Sequence, residues 1–210
     1  MIYRILRHLA YFSVRIFFRR IEVEGVENVP ESGPVLLVPN HPNALVDALV
    51  VLMHLKRPIS ITAKSTLADI IILRQMIKST NVILFHRKKD AAKGADPSRN
   101  AGAIAQCRER LELGEAILIF SEGQSHSDPS LRPLRTGAAR IALDYLDPGL
   151  GPGLTSALDS GEMAANLAII PVGLHFPEKD RFRSDVWVRF GKPLDPGRWL
   201  KLIQLLNQGY

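Results

Sequence analysis

His41 and Asp47, a histidine and an aspartate six positions apart, are the first pair in this sequence with the makings of chemistry. They lie in Val-Pro-Asn-His-Pro-Asn-Ala-Leu-Val-Asp-Ala-Leu, Val38 to Leu49. In an unbroken helix that offset would set them about 120° apart around the axis. Pro42 prevents this, because the residue before a proline is pushed out of the α region. Asn43 can then cap a helix that carries Asp47 in its early turns, and the imidazole can fold back onto the carboxylate. A histidine so paired is the minimal general base: the carboxylate fixes the tautomer and stabilises the imidazolium that forms. Taken alone, the same residues more readily suit a histidine at a strand end, next to an aspartate favoured near a helix N-terminus.

Three further segments bring polar groups to apolar runs. Ile83 to Asp90 delivers His86, Arg87, Lys88 and Lys89 at the end of a strand, and ligands of open α/β sheets bind beyond the carboxyl ends of the strands. Arg87 can grip a phosphate through two parallel hydrogen bonds, although a basic run also suits a solvated loop. Ala116 to Leu143 begins as an apolar strand, ends in Ser121-Glu122-Gly123-Gln124-Ser125, and passes Arg132 and Arg135 to a helix opening at Thr136-Gly137. Glutamate is rarely buried without a partner, so Glu122 is placed to bind a substrate hydroxyl or to position a basic residue. Gly123 lets backbone approach a ligand closely, and the helix start offers N–H groups to an anion. Gly123-Gln124-Ser125-His126-Ser127 comes near a nucleophile elbow but ends in serine rather than glycine. Ala168 to Phe176 is an apolar run containing Pro171. Proline removes a ladder donor, which points to a strand end or edge beside the site; ordinary core is the alternative.

The elements that must hold these groups alternate. Strands are expected at Ile21–Glu24, Val35–Val38, Ile59–Ala63, Val82–Phe85, Ala116–Phe120, Ala168–Val172 and Val186–Phe190. Helices are expected at Ala44–Leu55, Leu67–Lys78, Arg99–Leu113, Thr136–Tyr145 and Arg198–Leu206, with a Gly- and Pro-rich loop at Asp147 to Gly161. This alternation predicts an α/β fold, a mostly parallel central sheet flanked by helices. The first twenty residues hold five arginines, one histidine and no acid. On a helical wheel Arg4, Arg7, His8, Arg15 and Arg19 face away from Ile2, Ile5, Leu6, Leu9, Phe12, Ile16 and Phe17. Such a helix either packs on the domain core or lies in a membrane interface with its arginines on anionic headgroups. The lack of acids and the phenylalanines beside Arg19 and Arg20 favour the interface. The organisation read from the sequence is therefore an amphipathic interfacial helix at 1–20 and one domain at 21–210.

Composition narrows the classes. With 46% hydrophobic and 23% charged residues in 210, the chain is neither disordered nor collagen-like. Its one cysteine, Cys107, excludes an internal disulfide and a multi-cysteine zinc site. Six scattered histidines show no helical zinc spacing, and there is neither a Walker loop nor a GxGxxG. No run supplies the ~20 apolar residues of a spanning helix, and arginines interrupt the N-terminal stretch, which is therefore no cleavable signal. A net charge of +6 suits an anionic partner. Nucleic acid is disfavoured, since the basic residues are not interleaved with exposed aromatics and no module motif is present.

In order along the chain, Asn40-His41…Asp47, Phe85-His86-Arg87, Phe120-Ser121-Glu122-Gly123 and Ile170-Pro171-Val172 resemble the four blocks of the glycerolipid acyltransferase family, which includes glycerol-3-phosphate and lysophosphatidate acyltransferases. Five residues separate His41 from Asp47 where the common pattern has four, a spacing shared by some glycerol-3-phosphate acyltransferase-like branches. Ser121 stands where the family usually has proline. The resemblance implies an O-acyltransferase of phospholipid biosynthesis that moves a fatty acyl group from an acyl-CoA or acyl-carrier-protein thioester, with no cofactor, to glycerol-3-phosphate or a lysophospholipid. His41 would act as base and Asp47 would orient it. Asn40, Arg87, Glu122, Gly123 and Arg135 would bind the acceptor, and Pro171 would help shape the acyl groove. It further implies a peripheral or monotopic place on the cytoplasmic side of a membrane, the membrane surface itself being a partner. The competing classes are a serine hydrolase using Ser125 and a non-catalytic membrane lipid-binding module.

Overall fold

Val35, Leu36 and Leu37 are fully buried, and so are Ala116, Ile117 and Leu118. Apolar runs hidden on both faces belong to strands with helices above and below them. The computed structural model describes residues 2–69, 81–86, 96, 100–128, 130–146 and 167–196. Among these, seven strands form one sheet: β1 (Arg20–Glu24), β2 (Val35–Pro39), β3 (Ile59–Lys64), β4 (Val82–Phe85), β5 (Ala116–Leu118), β6 (Ala168–His175) and β7 (Asp185–Phe190). The α-helices described are α1 (Ile2–Phe17), α2 (Leu45–Leu52), α3 (Asn100–Glu112) and α4 (Gly137–Leu146), with short 3-10 turns at Val26–Asn28 and Ser65–Asp69. The strand order is β1-β7-β6-β2-β5-β3-β4. Every pairing is parallel except β6 with β7, which is the mostly parallel α/β sheet expected from the alternation.

Two apolar layers clothe the sheet. Leu37, Leu118, Ile170 and Val188 pack with Val50 and Val51 of α2 and with Val14 and Phe18 at the end of α1. On the other face Leu36 and Ile117 meet Ile104, Cys107 and Leu111 of α3 and Ile141 and Leu146 of α4. Each such side chain contributes about 1.5–3 kcal/mol on leaving water. Cys107 is part of this filling: burial, then the nearby Asp144, pushes its thiol up to about 12, so it stays protonated and unreactive.

The structure departs from the sequence reading at several points. Helix α2 stops at Leu52, not Leu55, because the chain tightens there to i→i+3 bonds (His54 N–H to Val51 O, 3.3 Å) while the His54 ring bonds Val50 O at 2.8 Å. Pro171 is inside β6, an interior strand, rather than at an edge. Its missing N–H falls opposite Gly191, where β7 ends; Gly191 N–H still donates to Pro171 O at 2.8 Å. Arg19 does not belong to a free basic face, since its guanidinium grips both oxygens of Asp185 at 3.0 and 2.6 Å. Val14 and Phe18 tie α1 into the main core, while Leu9, Phe12 and Ile16 stay exposed. No helix among the described residues is long and apolar enough to cross a membrane. The expected helix at Arg198–Leu206, the loop at Asp147 to Gly161 and most of Leu67–Lys78 lie outside the described residues.

Candidate active site

Strand β2 lies between β5 and β6 and ends at Pro39, so Asn40 and His41 emerge at the carboxyl end of the parallel strands. The next residues turn sharply into α2. Ala44 takes φ 49° and ψ −121°, a backbone region that costs a non-glycine residue about 1–3 kcal/mol. This kink accommodates the five-residue spacing. His41 Nδ1 lies 2.8 Å from Asp47 Oδ2, which also accepts the Asn43 N–H at 2.8 Å.

Asp47 is fully buried, and its Oδ1 has no hydrogen bond among the described residues. Burial pushes its carboxyl above the ordinary value; the His41 ring and the Asn43 N–H pull the other way without cancelling it. With Nδ1 engaged, Nε2 is the His41 nitrogen left for a substrate. The ring is stacked on Phe120, centroids 3.8 Å apart and planes 16° apart.

His41 borders a cleft of about 460 Å³. The walls include Leu45, Ile61, Phe85 and Phe120, with Lys64 and Arg135 as cationic groups and Gln124 and Ser125 as polar ones. Gly137 and Ala138, the first residues of α4, also line it, so the positive end of that helix faces the cleft. Gly123 lines it with φ 71°, and a Cβ there would come 3.4 Å from Arg135 Cγ. His41, Gly123 and Arg135 thus share one cavity.

Other expected site residues hold different posts. Both oxygens of Glu122 are engaged within the protein: Oε1 takes the His41 N–H at 2.9 Å, and Oε2 takes the Arg132 N–H at 2.9 Å and a hydrogen bond from the His126 ring. Of the two expected roles for Glu122, positioning a basic residue is the one observed. Burial pushes its carboxyl up, but the donors of Arg132, His126 and His41 outweigh burial and hold it below the usual range. Asn40 spends its amide on Leu174, accepting its N–H at 2.6 Å and donating to its carbonyl at 2.9 Å. It clasps the end of β2 to β6. Pro171 does not border the cleft of His41; it lines a separate groove of about 800 Å³ with Trp187 and Leu194. Arg87 lies outside the described residues.

Four residues escaped the sequence reading as site groups. Lys64 closes β3 opposite Phe85, and its place at a strand end was the available signal. Phe120 supplies the face for the imidazole. In sequence His126 belongs to a run resembling a nucleophile elbow; in the structure it serves Glu122. Lys179 Nζ donates to Pro42 O at 3.0 Å and Ser127 Oγ at 2.6 Å, a contact with no local sequence signature. Among the described residues no group of three or more His, Cys, Asp or Glu is arranged to hold a metal ion.

The model of a protein family described as Acyltransferase matches residues 20–175. An uncharacterized acyltransferase of Schizosaccharomyces pombe is 22% identical over 274 residues, 91% of this chain and 39% of that protein. A glycerol-3-phosphate O-acyltransferase of Saccharomyces cerevisiae is 29% identical over 102 residues, 49% of this chain and 12% of the relative. A chloroplastic 1-acyl-sn-glycerol-3-phosphate acyltransferase of Arabidopsis thaliana is 27% identical over 132 residues, 62% and 35% of the two chains. The chain thus spans well under half the length of these relatives. The crystal structure of the 1-acyl-sn-glycerophosphate acyltransferase PlsC from Thermotoga maritima superposes with a TM-score of 0.63 at 18% identity, over 98% of this chain and 77% of that one, a likeness of fold. The matched span opens at the first residue of β1 and closes at the last of β6, and over it the chain belongs to the acyltransferase family.

Proposed function

We propose that this protein is an O-acyltransferase that moves a fatty acyl group from an acyl thioester to a hydroxyl of glycerol-3-phosphate or of a lysophospholipid such as lysophosphatidate. The observation that carries the reading is the His41–Asp47 contact of 2.8 Å at the mouth of a cleft that holds Lys64 and Arg135. His41 Nε2 takes the proton of the acceptor hydroxyl as its oxygen attacks the thioester carbonyl. Asp47 holds the ring through Nδ1 and stabilises the imidazolium, which then returns the proton to the departing thiolate. Base catalysis of this kind supplies ~10²–10⁴ in rate; holding both substrates in one cleft supplies more. The acceptor alcohol is itself the nucleophile, so no acyl-enzyme forms and no cofactor enters. Lys64, Arg135 and the N-terminus of α4 give a phosphate its electrostatic seat, and the apolar wall of Leu45, Ile61 and Phe85 suits an acyl chain. The names of relatives of both acceptor types support this substrate class.

The reading extends to a peripheral place on the cytoplasmic side of a membrane. Leu9, Phe12 and Ile16, spaced by three and four, form one exposed apolar face of α1 at 60%, 66% and 49% exposure. A solvent-facing row of that kind suits insertion among lipid headgroups.

Transfer from radiolabelled acyl-CoA and acyl-carrier protein to glycerol-3-phosphate and to lysophosphatidate, run in parallel with His41→Ala as control, tests the proposal. Product that depends on His41 is expected with at least one donor–acceptor pair; product formed equally by His41→Ala overturns the base, and no product with any pair overturns the activity.

A further inference from the structure

We propose that His126 is a positioning residue for His41, acting through Glu122; the inference rests on the base role of His41 proposed above. The His41 peptide is held at both of its polar ends by one loop. Its N–H donates to Glu122 Oε1 at 2.9 Å, and its carbonyl accepts the His126 N–H at 3.1 Å. The circuit closes through the side chains, because the His126 ring bonds Glu122 Oε2 from Nε2. The Asp128 N–H donates to His126 Nδ1 at 3.2 Å, so the ring hydrogen sits on Nε2 and points at the carboxylate. A second donor, the Arg132 N–H, steadies the same oxygen.

The side chains of His126 and Glu122 are 6% and 1% exposed, and neither His126 nitrogen is left for a substrate. His126 therefore does not touch the reaction. It orients Glu122, and Glu122 sets the height and tilt of the backbone that carries the base. Asp47 and Phe120 fix the ring of His41; the His126–Glu122 pair fixes the peptide beneath it. Both constraints matter because a displacement of 1 Å at a reacting group can cost about 100-fold in rate.

The chemistry of the contact dictates the test. Glutamine places an amide nitrogen near the position of a histidine Nε2 and can still donate to Glu122, whereas asparagine reaches only as far as Nδ1. Acyl transfer by the full chain is measured for wild type, His126→Ala, His126→Gln, His126→Asn and His41→Ala, each rate expressed per folded molecule by circular dichroism. His126→Ala and His126→Asn are expected to lose about 10- to 100-fold in kcat with KM for the donor within about threefold, while His126→Gln recovers most of the loss. Combining His126→Ala with Glu122→Gln is expected to cost little more than either change alone, as coupled residues do. Equal activity of the glutamine and asparagine variants overturns the proposal even if the alanine variant does not fold. So does a wild-type kcat in His126→Ala beside an inactive His41→Ala, which leaves the base intact. An active His41→Ala instead removes the base reading, and the proposal falls with it.

Discussion

The imidazole of His41 lies flat on the ring of Phe120, with 3.8 Å between centroids and 16° between planes. The side chain that ends one apolar run thereby forms the floor under the group that ends another. Stacked rings are worth ~0.5–1.5 kcal/mol beyond their burial, or about two- to tenfold in rate if that energy holds the ring in its working pose. Phe120→Leu keeps an apolar group but removes the flat face. It is expected to lower kcat by about two- to tenfold, with Phe120→Tyr close to wild type; steady-state kinetics at saturating donor decides.

Asp47→Asn separates function from stability. The folded carboxyl titrates above its ordinary value of 3.8, chiefly through burial. Keeping it ionised therefore costs stability once the pH exceeds that value, and the cost levels off above the folded value. Its removal is expected to leave the thermal midpoint at pH 7 equal to wild type or higher, while kcat falls about 10²–10⁴-fold as the imidazole loses its partner. A midpoint several degrees below wild type would show that the hydrogen bonds to His41 and Asn43 stabilise more than burial costs.

Glu122 has the opposite sign. Its folded value is depressed below the ordinary 4.5, so the stability it contributes is present above about pH 4.5 and disappears as pH falls through the folded value. Denaturant midpoints of wild type are expected to drop on that acid limb, and those of Glu122→Gln to follow a shallower one. Parallel acid limbs in the two proteins would count against the carboxylate as the titrating group.

On α1 the exposed row is open to a direct test. Phe12 is 66% exposed, so Phe12→Glu is expected to leave the thermal midpoint within about 2 °C, since surface changes stay near ±0.5 kcal/mol. The same change is expected to weaken co-sedimentation with vesicles containing anionic lipid. Unchanged co-sedimentation would remove α1 as the attachment face.

Ala44 holds a conformation that suits glycine, at φ 49°. Ala44→Gly relieves that strain and is expected to raise stability by about 1 kcal/mol, roughly 2–4 °C in a chain of this size. Ala44→Val adds a branched Cβ at the same kink and is expected to lower it. Differential scanning calorimetry of both variants reads the sign.

Much of the scaffold is legible from local pattern. The runs Val35–Leu37 and Ala116–Leu118 are apolar on both faces because both faces are covered, and β4 runs over the residues expected, Val82–Phe85. The His41–Asp47 contact is legible because Pro42 reports the break that makes it geometrically feasible; the cap expected of Asn43 is not made, since Ala44 is the N-cap with no side-chain hydrogen bond and Asn43 gives only its backbone N–H to Asp47. The posts of Asn40 and Glu122 are not legible, because their partners lie 134 and 81 residues away, and hydrogen bonds across such distances leave no periodicity in the chain. Pro171 misleads for a related reason. Whether a missing donor matters depends on where the neighbouring strand stops, and β7 gives out beside it.

Asn40 fastens the end of β2 to β6, and the peptide after it is fastened through Glu122 to the loop that follows β5. His41 is thus stitched to both halves of the sheet at the seam where they join. Any hinge or slippage between those halves drags the imidazole with it. With His41 as the base proposed above, turnover becomes a gauge of mechanical integrity: the seam cannot open and leave that chemistry undisturbed.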